Sequence, residues 1–109
     1  YVGVRNDGKL HKVAYNDGYE KFESHPDSNV IFENYCLPFI GEVIHASYNA
    51  HKCLPYVNIA SWDFIVNPAN QVVLIEVNLL GQPMWFPQIA HSAPAFGENT
   101  ESVLSLLRS

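Results

Sequence analysis

Positive charge is scarce in this sequence. Its 109 residues hold six Lys plus Arg against eleven Asp plus Glu, a formal charge of −5, and no basic residue other than histidine falls between Lys52 and Arg108. A protein that neutralises phosphates along a polynucleotide, or that lies on an anionic membrane, needs the opposite balance, so neither partner is expected. Long apolar runs are missing as well: nothing approaches the ~18 residues of a membrane span. Cysteine is limited to Cys36 and Cys53, which allow one bridge at most, and a chain that is 48% apolar does not need one. Buried, reduced thiols in a cytoplasmic protein are the expectation. Repeats, low-complexity tracts and blocks of like charge are absent too. The chain opens on Tyr1 without a methionine or a leader segment, and so reads as a piece of a longer protein.

What is present has the size of one domain. A chain of this length removes roughly two-thirds of its extended surface from water, which predicts a single domain over residues 1–109 with a core of its own. Turn residues divide it. Residues 1–5 and 10–15 are strand-like runs joined by Asn6-Asp-Gly-Lys9, an Asp-Gly hairpin signal, and Asn16-Asp-Gly18 closes that portion. Residues 20–35 read as a surface loop around Ser24-His-Pro-Asp-Ser-Asn29. Pro38 suits a first helical turn, and Phe39, Ile40, Val43, Ile44, Ser47, Tyr48 and His51 recur at helical spacing. Two strands follow, 58–66 and 71–78, around Asn67-Pro-Ala-Asn70. Residues 79–97 are rich in Gly and Pro and read as loop, and Asn99 or Thr100 can cap a last short helix.

The second hairpin carries the chemistry. If residues 67–70 form the connection, Val66 opposes Gln71, and the ladder runs through Asp63 with Leu74, Ser61 with Glu76 and Ile59 with Asn78. Side chains alternate along each strand, so Trp62, Phe64, Val66, Val73, Ile75 and Val77 make one apolar face. Asp63, Glu76 and Asn78 share the other, with the two acids on a diagonal about 7–8 Å apart. Two carboxylates and an amide oxygen are hard donors suited to Mg²⁺ or Mn²⁺. A hairpin can also be polar on one face simply because that face is wet. Against this, Ile59, Ile65 and Leu74 share the face with the acids, and no local Lys or Arg pairs with them.

Asn58 to Val66 followed by Val72 to Asn78 resembles the metal-binding end of the ATP-grasp fold, in which an Asp on one strand and a Glu-x-Asn on the next hold Mg²⁺. The likeness is strongest to the ATP-grasp group associated with sugar transfer and polysaccharide biosynthesis. It extends through Asp7-Gly-Lys-Leu10, His25-Pro-Asp27, Trp62-Asp63 and Phe96-Gly97. The resemblance implies an α+β fold, an antiparallel sheet with a packed amphipathic helix, forming the C-terminal half of an ATP-grasp domain. It implies a bacterial, ATP-dependent ligase chemistry that passes through an acyl phosphate, with ATP and a small carboxylate or sugar-linked substrate as partners. Asp63, Glu76 and Asn78 would hold the metal, and Gln82 and Gln88 would contact phosphate or substrate, with Arg5 reaching a phosphate or a carboxylate.

The lysine-bearing subdomain, the glycine-rich lid and the adenine-reading acids of the family have no counterpart here. The 109 residues alone are therefore expected to be inactive, with apolar surface left open to self-association. Two other readings stay open: a degenerate, non-catalytic interaction module, and a carboxylate pair acting on a glycosidic bond, which requires acids about 5 or 6.5–9.5 Å apart. His45, His51 and Cys53 are assigned no metal, since positions 45 and 51 lie on different helix faces.

Overall fold

The computed structural model describes residues 1–108. The fold is α+β: strands β1 (Ala14–Tyr15) and β2 (Lys21–Phe22), helix α1 (Ile40–His51), strands β3 (Ser61–Val66) and β4 (Val72–Asn78), then helices α2 (Trp85–His91) and α3 (Thr100–Arg108). The strands form two separate antiparallel pairs, β1 with β2 and β3 with β4. The chain divides into two compact units, Tyr1–Cys36 together with the stretch from Met84 onward, and Leu37–Pro83.

In the first unit one kind of turn recurs because short polar residues supply what it needs. At Asn16 the side-chain oxygen accepts from the N–H groups of Gly18 and Glu20, and Tyr19 takes the left-handed conformation at φ 61°. The Arg5–Lys9 turn has the same form: Arg5 N–H donates to the Lys9 carbonyl, Gly8 sits at φ 79°, and Asp7 accepts from the Lys9 N–H. A type I turn followed by one left-handed residue closes a three-residue hairpin loop, and glycine or a short polar side chain makes it accessible. The expected pairing of residues 1–5 with 10–15 is present, yet it amounts to the single bridge Val4 to Leu10 plus bonds such as His11 N–H to the Gly3 carbonyl. His25 organises its own loop, its Nδ1 accepting from the N–H groups of Asp27 and Ser28.

Leu10, Ala14 and Phe32 are buried here, with Val2, Val4 and Phe22 packed against them. Helix α2 lies on β1. A Cβ at Gly3 would stand 2.6 Å from the Ala90 carbonyl oxygen and 2.8 Å from His11 Cδ2. Only a glycine lets this N-terminal segment and the helix approach this closely.

Within the Gly- and Pro-rich stretch 79–97, expected as loop, residues 85–91 are helical. Pro87 falls in the first turn of α2, where a missing N–H costs nothing. Its C-terminus closes through Ala93 N–H to the Gln88 carbonyl and Ser92 N–H to the Ile89 carbonyl, with Ser92 left-handed at φ 52°. The expected burial of the cysteines also fails. Cys36 and Cys53 are both free, and both are exposed rather than buried.

The second unit is α1 against the β3–β4 hairpin. Pro38 stands before the helix rather than in its first turn, because Phe39 caps α1 in the left-handed conformation at φ 63°. The inward stripe is rotated from the expected one: Ile40, Val43, Ser47 and His51 are half-buried, whereas Ile44 and Tyr48 are exposed. Helix α1 packs on β4, and the His51 ring meets Trp62 edge-on at 6.0 Å while its Nε2 bonds the Val57 carbonyl at 2.8 Å. No described residue of this unit is buried. The core expected from chain length is thus confined to a few side chains, since a two-stranded pair has one face covered and nothing to cover the other.

Candidate metal centre

The register of β3 with β4 decides which side chains meet, and it differs from the one read off the turn. Asn67 N–H donates to the Gln71 carbonyl, Asn70 N–H donates to the Asn67 carbonyl, and Asn70 is left-handed at φ 59°. The Asn67 side-chain oxygen takes the N–H groups of Ala69 and Gln71. The loop therefore spans Pro68 to Asn70, Asn67 faces Gln71, and the first strand pair is Val66 with Val72. This one-residue slip continues through Ile65 with Val73 and Phe64 with Leu74. The covered face accordingly draws on Trp62, Phe64, Val72 and Val77, all half-buried, while Ile75 is exposed.

Carried further, the slip would separate the acids, placing Ile75 opposite Asp63 and Glu76 opposite Trp62. It is not carried further. The register shifts between Asp63 and Phe64, beyond which Asp63 pairs with Glu76, Trp62 with Val77 and Ser61 with Asn78. Ile75 is the extra residue of this bulge, which resets the alternation by one position. Asp63 and Glu76 are consequently directly opposed, not diagonal. Opposed residues hold their Cβ atoms about 4.5–5.5 Å apart, nearer than the expected diagonal. Asn78, two residues beyond Glu76, shares their face.

Gln82 ties down the open end of this pair. Its side-chain oxygen accepts from the Ser61 hydroxyl and its amide nitrogen donates to the Asn78 carbonyl, so both ends of the amide are engaged within the hairpin. Asp63, Glu76 and Asn78 are exposed. Among the described residues no ion pair reaches either acid, and no three His, Cys, Asp or Glu side chains converge as a metal site. The donor set is two facing carboxylates with an amide oxygen alongside, a hard-oxygen set that fits a magnesium-sized ion completed by water and phosphate oxygens.

Comparison with known families decides which family the chain belongs to. The sequence matches the family described as sugar-transfer associated ATP-grasp over residues 1–103. The chain belongs to this ATP-grasp family. The match takes in both strands of the hairpin and the loop that carries Gln82. No curated protein and no solved structure gives a significant match.

Two candidate residues of this ATP-grasp chain lie in the first unit, apart from the hairpin. Arg5 donates to the Asn34 side-chain oxygen at 2.7 Å, and its Nε stands 3.4 Å from an Asp7 carboxylate oxygen. The Lys9 N–H, then the Arg5 charge, hold Asp7 below the ordinary carboxylate range. Gln88 is exposed on α2. Phe96 and Gly97, from the resemblance motifs, line a cavity of about 560 Å³ with His91 and Glu98. Burial and the neighbouring His11 hold the His91 imidazole below its ordinary value. The bulge and the clamp by Gln82 escaped sequence reading. Asn70, a residue type that tolerates the left-handed region, was the available signal for a three-residue loop.

Proposed function

We propose that the chain is the C-terminal, metal-holding part of a cytoplasmic, Mg²⁺- or Mn²⁺-dependent ATP-grasp ligase of surface polysaccharide biosynthesis. The observation that carries this reading is the direct opposition of Asp63 and Glu76 across the bulge, with Asn78 on the same face. In such an enzyme a substrate carboxylate attacks the γ-phosphorus of ATP, ADP departs, and an amine or other nucleophile displaces phosphate from the resulting acyl phosphate. A bound divalent ion would supply charge neutralisation at the β- and γ-phosphates. Asp63 and Glu76 hold that charge in place, and Asn78 adds a neutral oxygen without further negative charge.

Gln82 is a positioning residue, since its amide is spent on holding β3 to β4. Arg5 and Gln88 remain the candidates for contact with a phosphate or with a small carboxylate or sugar-linked substrate. The exposed apolar side chains of the hairpin, Ile65 and Ile75 among them, support a surface that another part of the protein or a second copy covers.

The test is ATP turnover by the full-length protein with Mg²⁺. Asp63→Asn and Glu76→Gln are each expected to abolish turnover while leaving the circular dichroism spectrum unchanged. Retained turnover in either variant overturns the assignment. Absence of metal-dependent nucleotide binding in the parent itself would make the chain an interaction module.

A further inference from the structure

The first unit carries an aromatic cluster that the ATP-grasp reading leaves unused. Trp85, at the start of α2, is met by Tyr1 at 5.8 Å and 75°, by Tyr19 at 5.9 Å and 64°, and by Phe86 at 6.0 Å and 82°. None of these rings lies parallel to the indole. Contacts of this kind hold its orientation, and none of them is a parallel stack. Trp85 keeps 41% of its surface exposed and Tyr19 keeps 60%. Large aromatic rings held rigid yet left open are costly in water and mark recognition surfaces.

The setting narrows the ligand. Tyr19 is the left-handed residue of the Asn16–Glu20 turn, so the backbone, and not a flexible stem, aims its ring at Trp85. The same turn carries the exposed carboxylates of Asp17 and Glu20, the latter already accepting from the Asn16 side-chain amide. Asp17 stands two residues before Tyr19 in that turn, and burial and then its charge raise the Tyr1 hydroxyl above its ordinary value. Carboxylates at the rim repel phosphates and accept hydrogen bonds from hydroxyls. Two steeply inclined rings form an open corner, not the parallel slot that holds a flat base. A pyranose fits such a corner: its axial C–H bonds, weakly positive, face the negative ring surface, and its equatorial hydroxyls point outward to acceptors. A cavity of about 360 Å³, bounded by Tyr1, Asn16 and Phe22, adjoins the cluster. Its volume is within the range of small-ligand sites.

We propose that Trp85 and Tyr19, with Asp17 at the rim, form a binding platform for an uncharged saccharide. It rests on the first unit alone and stands or falls separately from metal binding at the hairpin. The test is ¹⁹F NMR of the full chain labelled with 5-fluorotryptophan, which gives one signal each for Trp62 and Trp85, assigned with Trp85→Phe. Titration with cellohexaose and with maltohexaose is expected to shift the Trp85 signal saturably and leave the Trp62 signal in place. Tyr19→Ala should weaken that binding roughly two- to twelvefold, the loss of one aromatic contact, whereas Tyr19→Phe should retain most of it. Added Mg²⁺ should change neither result. No saturable shift of the Trp85 signal with either sugar, a shift unaltered by Tyr19→Ala, or an indole shielded from solvent in the full chain, as on a packing surface, each overturns the proposal.

Discussion

Removing one negative charge from the β3–β4 pair should change the stability of the chain in opposite directions with and without a divalent ion. Asp63 and Glu76 are directly opposed, and both are exposed. Like charges about 5 Å apart in water repel by about 0.8 kcal/mol, and exposure makes the water value the appropriate one. Without metal, Asp63→Asn or Glu76→Gln should therefore stabilise the chain by at most about 0.8 kcal/mol, a rise of about 3–6 °C in Tm for a domain of this size. Salt shrinks that rise. An ion held between the carboxylates inverts the order: at ten times its Kd it stabilises the wild type by about 1.4 kcal/mol, and a variant lacking one ligand does not share the gain. Thermal unfolding followed by circular dichroism, at low salt with EDTA and then with Mg²⁺, reads both signs. Variants that melt lower than wild type in EDTA would refute the direct opposition, and an equal Mg²⁺-induced rise in wild type and variants would refute the metal assignment.

The clamp and the packing of the first unit give three further tests. Gln82→Ala removes both partners at the hairpin end and should lower stability by about 1–2 kcal/mol, with faster amide exchange beginning at the Ser61–Asn78 end and the Pro68 to Asn70 turn unaffected. Gly3→Ala drives a methyl group against the Ala90 carbonyl and should cost about 1–3 kcal/mol in chemical denaturation, more than an alanine at the exposed Gly41 would. Because the folded state holds His91 below the ordinary imidazole value, the unfolded state binds more protons there; its contribution is complete above about pH 6.5 and is lost as pH falls below that value. Melting temperatures measured between pH 8 and pH 5 should decline less steeply in His91→Gln, and an unchanged slope would contradict the burial and the His11 contact. Asp7 acts in a separate window, below the ordinary carboxylate range.

Local sequence patterns were enough for the α+β class and the positions of α1, β3 and β4, and they single out Asp63, Glu76 and Asn78 as the proposed metal-holding set. These follow from local rules: apolar periodicity separates helix from strand, turn residues bound them, and the order of motifs matches the ATP-grasp family. Tertiary structure decided the rest. The three-residue loop slips the strands by one residue, and the Ile75 bulge slips them again. Each slip alone would send Glu76 to the face opposite Asp63, and only their combination restores the pair. Alternation along a single strand cannot reveal this, because register is a relation between two strands. The same limit hid the Gln82 clamp, formed with Ser61 across 21 positions. It also hid the corner of Trp85 and Tyr19, whose residues stand far apart in the chain. Helix α2 was masked for a different reason: Pro87 signals a break everywhere except in a first turn, and packing against β1 and against the Gly3 backbone supplies stability that local propensity withholds.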